Sequence, residues 1–324
     1  MLITDQHPHN RSIMTTVIGK PNAGKSSLVN YLLGVDLSIV TPKAQTTRNS
    51  FHCVLTVDRT EIVLVDTPGL HQNNLEINLR MNDMAAESVE GVNVILMLVD
   101  LTRDVVFELQ DLSKKITTTI PIWLVFTHQD LVPNPAKRVT DELIEKCKVI
   151  FPTIEKHFIV SSVTGEGMHL LTGALCDRSQ NLPHLYPGGD ISNKNMRFFA
   201  SEYIREQAFL LLRDEIPYEL TVVIEDYKDV KEGEGENAVT RTYISAGILV
   251  NRQSQRGIVV GKGGALIKEI GSKAREKIEK IVGNQVHLNL HVKVSPNWFK
   301  NNYVLEEMGL PRGIGNSHRV WRKH

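Results

Sequence analysis

Eight residues, Gly19-Lys20-Pro21-Asn22-Ala23-Gly24-Lys25-Ser26, follow the spacing G-x-x-x-x-G-K-[ST]. The pattern suits phosphate: glycines let main-chain N–H groups close around an anion with no Cβ in the way, and a helix beginning at the end of the loop adds its dipole. Asn22, Ala23, Gly24, Lys25, Ser26 and Ser27 are therefore candidate nucleotide contacts, with Lys25 reaching the β- and γ-phosphates and the Ser26 hydroxyl offered to Mg2+. Some forty residues on comes Asp66-Thr67-Pro68-Gly69, after the apolar run Ile62–Val65. Asp66 is a second candidate ligand for Mg2+, usually through water. Gly69 can give its N–H to a γ-phosphate and move when that phosphate departs. Between the two lies Pro42-Lys43-Ala44-Gln45-Thr46-Thr47-Arg48, where a threonine hydroxyl would complete the metal site. The residues leave Thr46 and Thr47 open; Thr47 is carried forward as the ligand. Lys25, Thr47 and Gly69 form the candidate catalytic set.

A second pattern stands near the other end. Gly261-Lys262-Gly263-Gly264 leads from an apolar stretch into a helix and fits the GXXG loop of KH domains, which clamps the backbone of about four nucleotides. Lys262 would add a phosphate contact, and Lys268 one on the following helix. Ile258, Val260, Ile267, Ile270, Ile278 and Ile281 read mainly as core, Trp298 and Trp321 as locally packed or base-stacking, and His287 and His291 as no metal site. The formal net charge of zero hides an asymmetry: residues 251–324 hold 14 Lys+Arg against 5 Asp+Glu, leaving 23 against 32 in the first 250. A basic end of that kind is compatible with nucleic acid. It is compatible too with a peripheral contact at the inner membrane, although no amphipathic lipid-binding helix stands out.

These residues need elements to place them. Ile13–Gly19 reads as a strand, Lys25–Leu33 as a helix, Phe51–Val57 and Glu61–Asp66 as a strand pair. Val94–Asp100, Ile122–Thr127 and His157–Ser162 read as further strands with helical stretches between. Alternation of this kind implies a doubly wound α/β sheet with ligands at the strands' C-terminal ends. Asn181–Asn195, rich in Pro, Gly and Asn, reads as a linker. Beyond it come a helix (Arg197–Arg213), strands (Tyr218–Tyr227, Thr240–Val250) around an acidic loop Lys231–Asn237, a helix (Ala265–Val282), a strand (Gln285–Val294), a helix (Pro296–Met308) and a basic tail ending Arg319–His324. The expected domains are 1–182, a linker 183–196, 197–310 in the α-β-β-α-α-β order of an α+β type II KH domain, and the tail 311–324. The longest apolar runs are far shorter than the about 20 residues a membrane span needs. The polar start lacks a secretory pattern, and Cys53, Cys147 and Cys176 form no metal or redox spacing, so a cytoplasmic monomer with reduced thiols is expected.

The strings GKPNAGKSS, KAQTTR and DTPGL, together with the glycine loop near the C-terminus, resemble the Era family of GTPases over nearly the whole chain. The resemblance implies a P-loop NTPase sheet followed by a KH domain, and GTP/GDP cycling with Mg2+. It also implies binding to the 3′ end of small-subunit ribosomal RNA and a part in small-subunit assembly. It suggests that Asn22 helps to hold K+ beside the phosphates, where a Ras-like water-orienting glutamine is replaced by Leu70 and intrinsic turnover should be slow. One motif departs from the family. Where its members carry Asn-Lys-x-Asp, this chain has Thr127-His128-Gln129-Asp130. Asp130 keeps a carboxylate for the paired N–H donors of guanine. The missing Asn removes a hydrogen bond of about 0.5–1.5 kcal/mol and the missing Lys a stem over the P-loop, for an affinity loss of about tenfold. Val160-Ser161-Ser162-Val163 occupies the place of the family's base-contacting loop, which puts Thr127, Ser161 and Ser162 among the candidate contacts. Two other readings stand beside this one: a nucleotide-binding RNA chaperone or scaffold with little hydrolysis, and an ATPase of the same architecture, against which Asp130 argues.

Overall fold

A computed structural model of the protein describes residues 7–43, 46–68, 88, 91–186, 188–233 and 239–310. They divide into two compact units, the first from residues 7–38 and 47–193 and the second from 39–46 and 194–310.

The first unit runs β1 (Arg11–Gly19), α1 (Lys25–Leu33), β2 (Phe51–Val57), β3 (Thr60–Asp66), β4 (Val94–Asp100), α2 (Val105–Ser113), β5 (Ile122–Thr127), α3 (Asp141–Ile150), β6 (Ile154–Ile159) and α4 (Met168–Arg178). Its sheet has the order β2-β3-β1-β4-β5-β6, with β2 antiparallel to β3 and the other pairs parallel. β4 (VILMLVD) and β5 (IWLVFT) are buried at every position. A strand covered on both faces has no solvent side to alternate toward, which is why both read as unbroken apolar runs. Strand β3 lies on one side of β1 and β4 on the other, so the loops leaving β1 and β4 diverge and open a crevice at their C-terminal ends. Helices α2 and α3 start on Asp104 and Thr140, whose side chains accept from Phe107 N and Leu143 N.

Strand β6 was expected over His157–Ser162 and is found three residues earlier. The chain leaves the sheet after Val160 because the Ser161 hydroxyl accepts from Val163 N and Thr164 N, both at 3.1 Å, and so closes a local turn in place of a ladder. The stretch read as a linker is strapped to the first unit as far as Asn193. Gln180 bridges to Ser12 and Ser192 to Cys53, and Leu185 N and Tyr186 N donate to the wholly buried Glu61 carboxylate at 2.7 and 2.9 Å. Its Pro, Gly and Asn content excludes regular structure without excluding side-chain and bridge hydrogen bonds.

The second unit runs α5 (Met196–Leu211), β7 (Leu220–Glu232), β8 (Val239–Val250), α6 (Gln253–Val260), α7 (Ala265–Val282), β9 (Gln285–Val294) and α8 (Asn302–Glu307). β8 is central, antiparallel to β7 and parallel to β9. The α-β-β-α-α-β order is therefore present, with α8 added. Residues 39–46 belong to this unit: Val40 N donates to Glu206 Oε1 at 3.1 Å, and the Lys43 ammonium to the carbonyls of Phe209 and Leu212. The helix expected over Pro296–Met308 is divided. Trp298 is buried and donates its indole N–H to Glu219 O at 2.9 Å, the chain turns at Asn297 (φ 56°), and α8 restarts under the Asn301 side-chain cap.

Candidate functional site

Helix α1 begins directly at Lys25, behind Gly24 in the left-handed region (φ 81°), and no side chain caps it. Its first-turn N–H groups are thus presented to the loop formed by residues 19–24. Asn22 also takes a left-handed conformation (φ 62°), which asparagine tolerates better than most residues. Ala23 is buried and Ser27 partly so. The Lys25 ammonium donates to Gly19 O at 3.0 Å and Lys20 O at 2.9 Å. Burial lowers it to about 8, against the pull of Asp66 and Glu108.

Three of the proposed metal ligands come together. Ser26 Oγ lies 3.0 Å from Thr47 Oγ1 and donates to Asp66 Oδ2 at 3.3 Å. Of the two threonines it is Thr47 whose hydroxyl lies beside Ser26, while the Thr46 hydroxyl is taken up by Thr41 Oγ1 and Lys43 O, both at 2.7 Å. Burial raises the Asp66 carboxyl to about 6, against the Ser38 hydroxyl, Lys25 and Ser26. Asp66 Oδ1 is buried and makes no hydrogen bond of ordinary geometry among the described residues, Ser38 included. Two hydroxyls and one carboxylate, one of whose oxygens is unused, are a hard, all-oxygen donor set, the kind that suits Mg2+. Among the described residues there is no group of three His, Cys, Asp or Glu that would suit a softer metal. Gly69 and Leu70 lie outside the described residues.

The departing motif proves to be anchored. Thr127 is buried, and its hydroxyl donates to Ala23 O at 3.0 Å with Val99 O at 3.2 Å. The side chain at the place of the family's asparagine is thus a hydrogen-bond donor to the phosphate loop. Asp130 follows on a short turn, Gln129–Leu131, with its carboxylate exposed. Ser161 is buried and spends its hydroxyl on its own turn, whereas Ser162 is partly exposed. Gln129 N reaches Val160 O at 3.5 Å and holds the two loops side by side.

In the second unit Gly261, Gly263 and Gly264 have φ of 72°, 60° and 80°. A Cβ on Gly261 would lie 2.7 Å from Leu266 Cβ, so this turn requires glycine on steric as well as conformational grounds. Lys262 is exposed at its tip. Beyond it a groove of about 690 Å³ runs between α7 and the sheet, lined among others by Lys268, Arg275, Tyr243 and His287. Of these, sequence reasoning named Lys268 as a contact and missed the pair across β8 and β9: the rings of Tyr243 and His287 stack with centroids 4.8 Å apart. Their alternation within two strands was visible, but only the parallel β8–β9 register (Tyr243 opposite His287) sets them side by side. On the same helix Lys277 pairs with Glu206 at 2.7 Å and Lys273 with Glu269 at 2.8 Å, so these two cations are already neutralised. Ile270 and Ile278 are core, Ile267 lines the groove, and Ile258 is half exposed. Trp321 lies outside the described residues.

A family profile described as a 50S ribosome-binding GTPase matches residues 14–128, and one described as a KH domain matches residues 215–299. The GTPase Era of Geobacter sp. (strain M21) is 37% identical over 303 residues, covering 92% of this chain and 97% of its own. That of Carboxydothermus hydrogenoformans is 34% identical, covering 93% and 98%. Two solved structures superpose with a TM-score of 0.83 at 30% identity: Era with MgGDPNP and nucleotides 1506–1542 of 16S ribosomal RNA, which covers 94% of this chain, and a variant of Aquifex aeolicus Era bound to GDP and tetrafluoroaluminate, which covers 93%; each is itself covered in full. Among the described residues no helix is long and apolar enough to cross a membrane. With a phosphate loop, a hydroxyl–carboxylate cluster beside it and a glycine-rich turn ahead of a groove laid out in that family's order, the chain belongs to the Era family of GTPases.

Proposed function

We propose that the protein hydrolyses GTP to GDP and phosphate, and that its nucleotide state governs binding to the 3′ end of small-subunit ribosomal RNA during small-subunit assembly. The observation that carries the enzymatic half is the convergence of Ser26, Thr47 and Asp66 beside the lysine of the phosphate loop. Lys25 would exchange its Gly19 and Lys20 carbonyls for phosphate oxygens, while residues 22–27 give main-chain N–H groups to the same phosphates. Ser26, Thr47 and Asp66 would hold Mg2+, which supplies positive charge against the charge that builds up as the terminal phosphate leaves. Asp130 accepts the paired N–H donors of guanine beside the Ser161–Ser162 loop. Gly69 donates to the γ-phosphate. Because Leu70 cannot orient water, turnover without RNA or a partner is slow, and K+ at Asn22 raises it.

In the second unit the Gly261–Gly264 loop clamps the RNA backbone, with Lys262 and Lys268 on phosphates. Thr47 directly follows a segment that belongs to that unit, a succession that supports coupling between nucleotide state and RNA docking. The working form in this reading is a cytoplasmic monomer.

The test is equilibrium binding of fluorescent GDP with GDP, ADP and XDP as competitors, for wild type and Asp130→Asn, alongside turnover in K+ and in Na+. Preference for GDP by orders of magnitude, a shift toward XDP in the variant, and faster turnover in K+ are expected. Nucleotides competing alike would remove the guanine reading, and tight binding without turnover would favour a scaffold. Equal RNA affinity with GDP and with a non-hydrolysable GTP analogue would remove the switch.

A further inference from the structure

Side chains alternate across a strand, and the sheet of the second unit keeps its two faces distinct. Along β8, Thr242, Ile244, Ala246 and Ile248 are buried, and Gly271 of α7 packs toward Leu290, the β9 partner of Ala246, on that same face. Tyr243 and its β9 partner His287 stand on the opposite face. Tyr243 is 36% exposed, and His287 is exposed as well. Their rings lie almost parallel, 11° apart with centroids at 4.8 Å. The Tyr243 hydroxyl donates to Glu232 Oε1 at 2.6 Å, and Arg241 holds the other oxygen of that carboxylate at 2.6 Å. The pair is therefore a flat aromatic surface, fixed in place and open to solvent.

The groove beside α7 reaches this surface. It is lined by Lys268, Ser272 and Arg275 of the helix and by Tyr243 and His287 as well, so it passes round the edge strand β9 from one face of the sheet to the other. Helix and strand run in opposite directions: Gly271 lies beside Leu290, and Glu279 accepts from Val286 N at 3.0 Å. His287 is thus at the end of α7 remote from the Gly261–Gly264 turn, about 20 Å along the helix. Lys268 and Arg275 pair with no carboxylate among the described residues, in contrast to Lys273 and Lys277. Asp226, the acid on the groove wall, is taken by Lys228 at 2.7 Å. Two uncompensated cations leading to a flat aromatic surface suit a single strand of nucleic acid, whose phosphates follow the charge while a base stacks on a ring. A duplex keeps its base faces inside and would leave the rings unused.

We propose that Tyr243 and His287 form a stacking platform for an unpaired base of the RNA, a further nucleotide subsite on the face of the sheet turned away from α7 and outside the glycine turn. This rests on the RNA reading above. A strand held at Gly261–Gly264 follows Lys268 and Arg275 with its phosphates, crosses the edge of β9 and lays a base on the pair. Because β9 is the edge strand, the free face of His287 is on the side from which the groove arrives. Every base has a π face, so the platform lengthens the footprint and adds affinity with little demand on base identity.

The experiment measures binding of the full chain to the single-stranded 3′ end of small-subunit ribosomal RNA, in lengths of about four and about ten nucleotides, the shorter read as a competitor of the longer. The proteins are wild type, Tyr243→Leu, His287→Leu, Tyr243→Phe, Lys268→Gln and Lys262→Glu. Loss of either ring should weaken the longer RNA by about five- to a hundredfold and change the shorter by less than about twofold. Tyr243→Phe keeps the ring and should stay close to wild type. The ring variants should also keep the wild-type salt dependence, because they lose no phosphate contact, whereas Lys268→Gln should flatten it. In wild type, the longer RNA carrying 5-iodouridine at successive single positions should cross-link on irradiation to Tyr243 or His287, a readout that does not depend on how any variant folds. Equal losses on both lengths would mean that the pair only supports the sheet, and no loss on the longer RNA, or no cross-link to either ring, that it takes no base; each would overturn the proposal while leaving RNA binding in place. If wild type binds neither length and Lys262→Glu changes nothing, the RNA reading itself fails and takes this proposal with it.

Discussion

Asp66→Asn separates what a buried carboxylate costs the fold from what it contributes to the ligand. Burial raises the Asp66 carboxyl from its ordinary 3.8 to about 6, against Ser38, Lys25 and Ser26. The folded protein therefore holds this proton more tightly than the unfolded chain. The stability associated with the group is whole below pH 4, is lost as pH rises through 4 to 6, and stays lost above that. At about 1.4 kcal/mol for each tenfold change in proton affinity, keeping the group ionised in the fold costs about 3 kcal/mol at neutral pH. Asparagine is nearly isosteric and removes that cost. It also removes the partner that steadies the Lys25 ammonium, which burial has lowered to about 8. The net gain is then about 1–2 kcal/mol. Urea unfolding in EDTA, without nucleotide, at pH 7.5 should show a higher midpoint for Asp66→Asn, read on the transition that GDP shifts in wild type. The wild-type advantage should return in excess Mg2+ and GDP: at a hundred times Kd a ligand adds about 2.7 kcal/mol to the protein that binds it, and the variant should gain much less. A variant less stable than wild type in EDTA would refute the argument, since the carboxylate would then be stabilising the fold by itself.

Three further changes test other parts of the structure. Glu61→Leu leaves Leu185 N and Tyr186 N without their buried carboxylate, so it should cost about 2–4 kcal/mol and expose residues 181–193 to protease; an unchanged midpoint and digestion pattern would contradict the strap. Thr127→Val keeps the shape but strips Ala23 O of its 3.0 Å donor. It should weaken GDP binding by up to about tenfold and stability by about 1–3 kcal/mol in calorimetry, and unchanged values for both would show that the tether is idle. Lys262→Glu, at an exposed tip, should leave unfolding and GDP affinity alone while lowering RNA affinity by tenfold or more and flattening its salt dependence; filter binding at two ionic strengths decides it.

What could be read from the sequence was whatever depends on local pattern. The phosphate loop, the strand before it and the helix after it are contiguous, so residues 19–27 carried their own context. α7 and β9 were placed residue for residue because each has one strong period and a glycine at a boundary: Gly264 before α7, Gly283 after it. The errors lie where a side chain overrides the run it sits in. Ser161 closes its own turn and ends β6 early, and Trp298 with Asn301 splits the last helix. The strap over residues 180–193 carries no periodicity, since its order comes from Glu61, Ser12 and Cys53, far away in the chain. Which of the Thr46 and Thr47 hydroxyls lies beside Ser26 was beyond sequence as well: adjacent residues of one type differ only in which way the backbone turns each hydroxyl.

The same limit explains how the altered guanine motif is tolerated. Two loops leave the same end of the sheet from strands on either side of β4, one after β1 and one after β5, and each bends through a left-handed residue: Asn22 and Gly24 in the first, His128 in the second. Those bends bring Ala23 O within 3.0 Å of the Thr127 hydroxyl and the His128 ring over Gly24. Geometry of that kind demands a donor at the end of β5, followed by a residue that accepts positive φ without a β-branch. Threonine with histidine meets both conditions, because histidine is among the residues enriched in the left-handed region. A β-branched residue at 128 would satisfy neither the backbone nor the ring's place beside Asp100, so His128→Val should cost more nucleotide affinity than His128→Gln, although the two side chains are equally uncharged. That order of effects, measured as the ratio of two dissociation constants, reads the part of residue 128 that is backbone, since the two side chains differ in branching and not in charge.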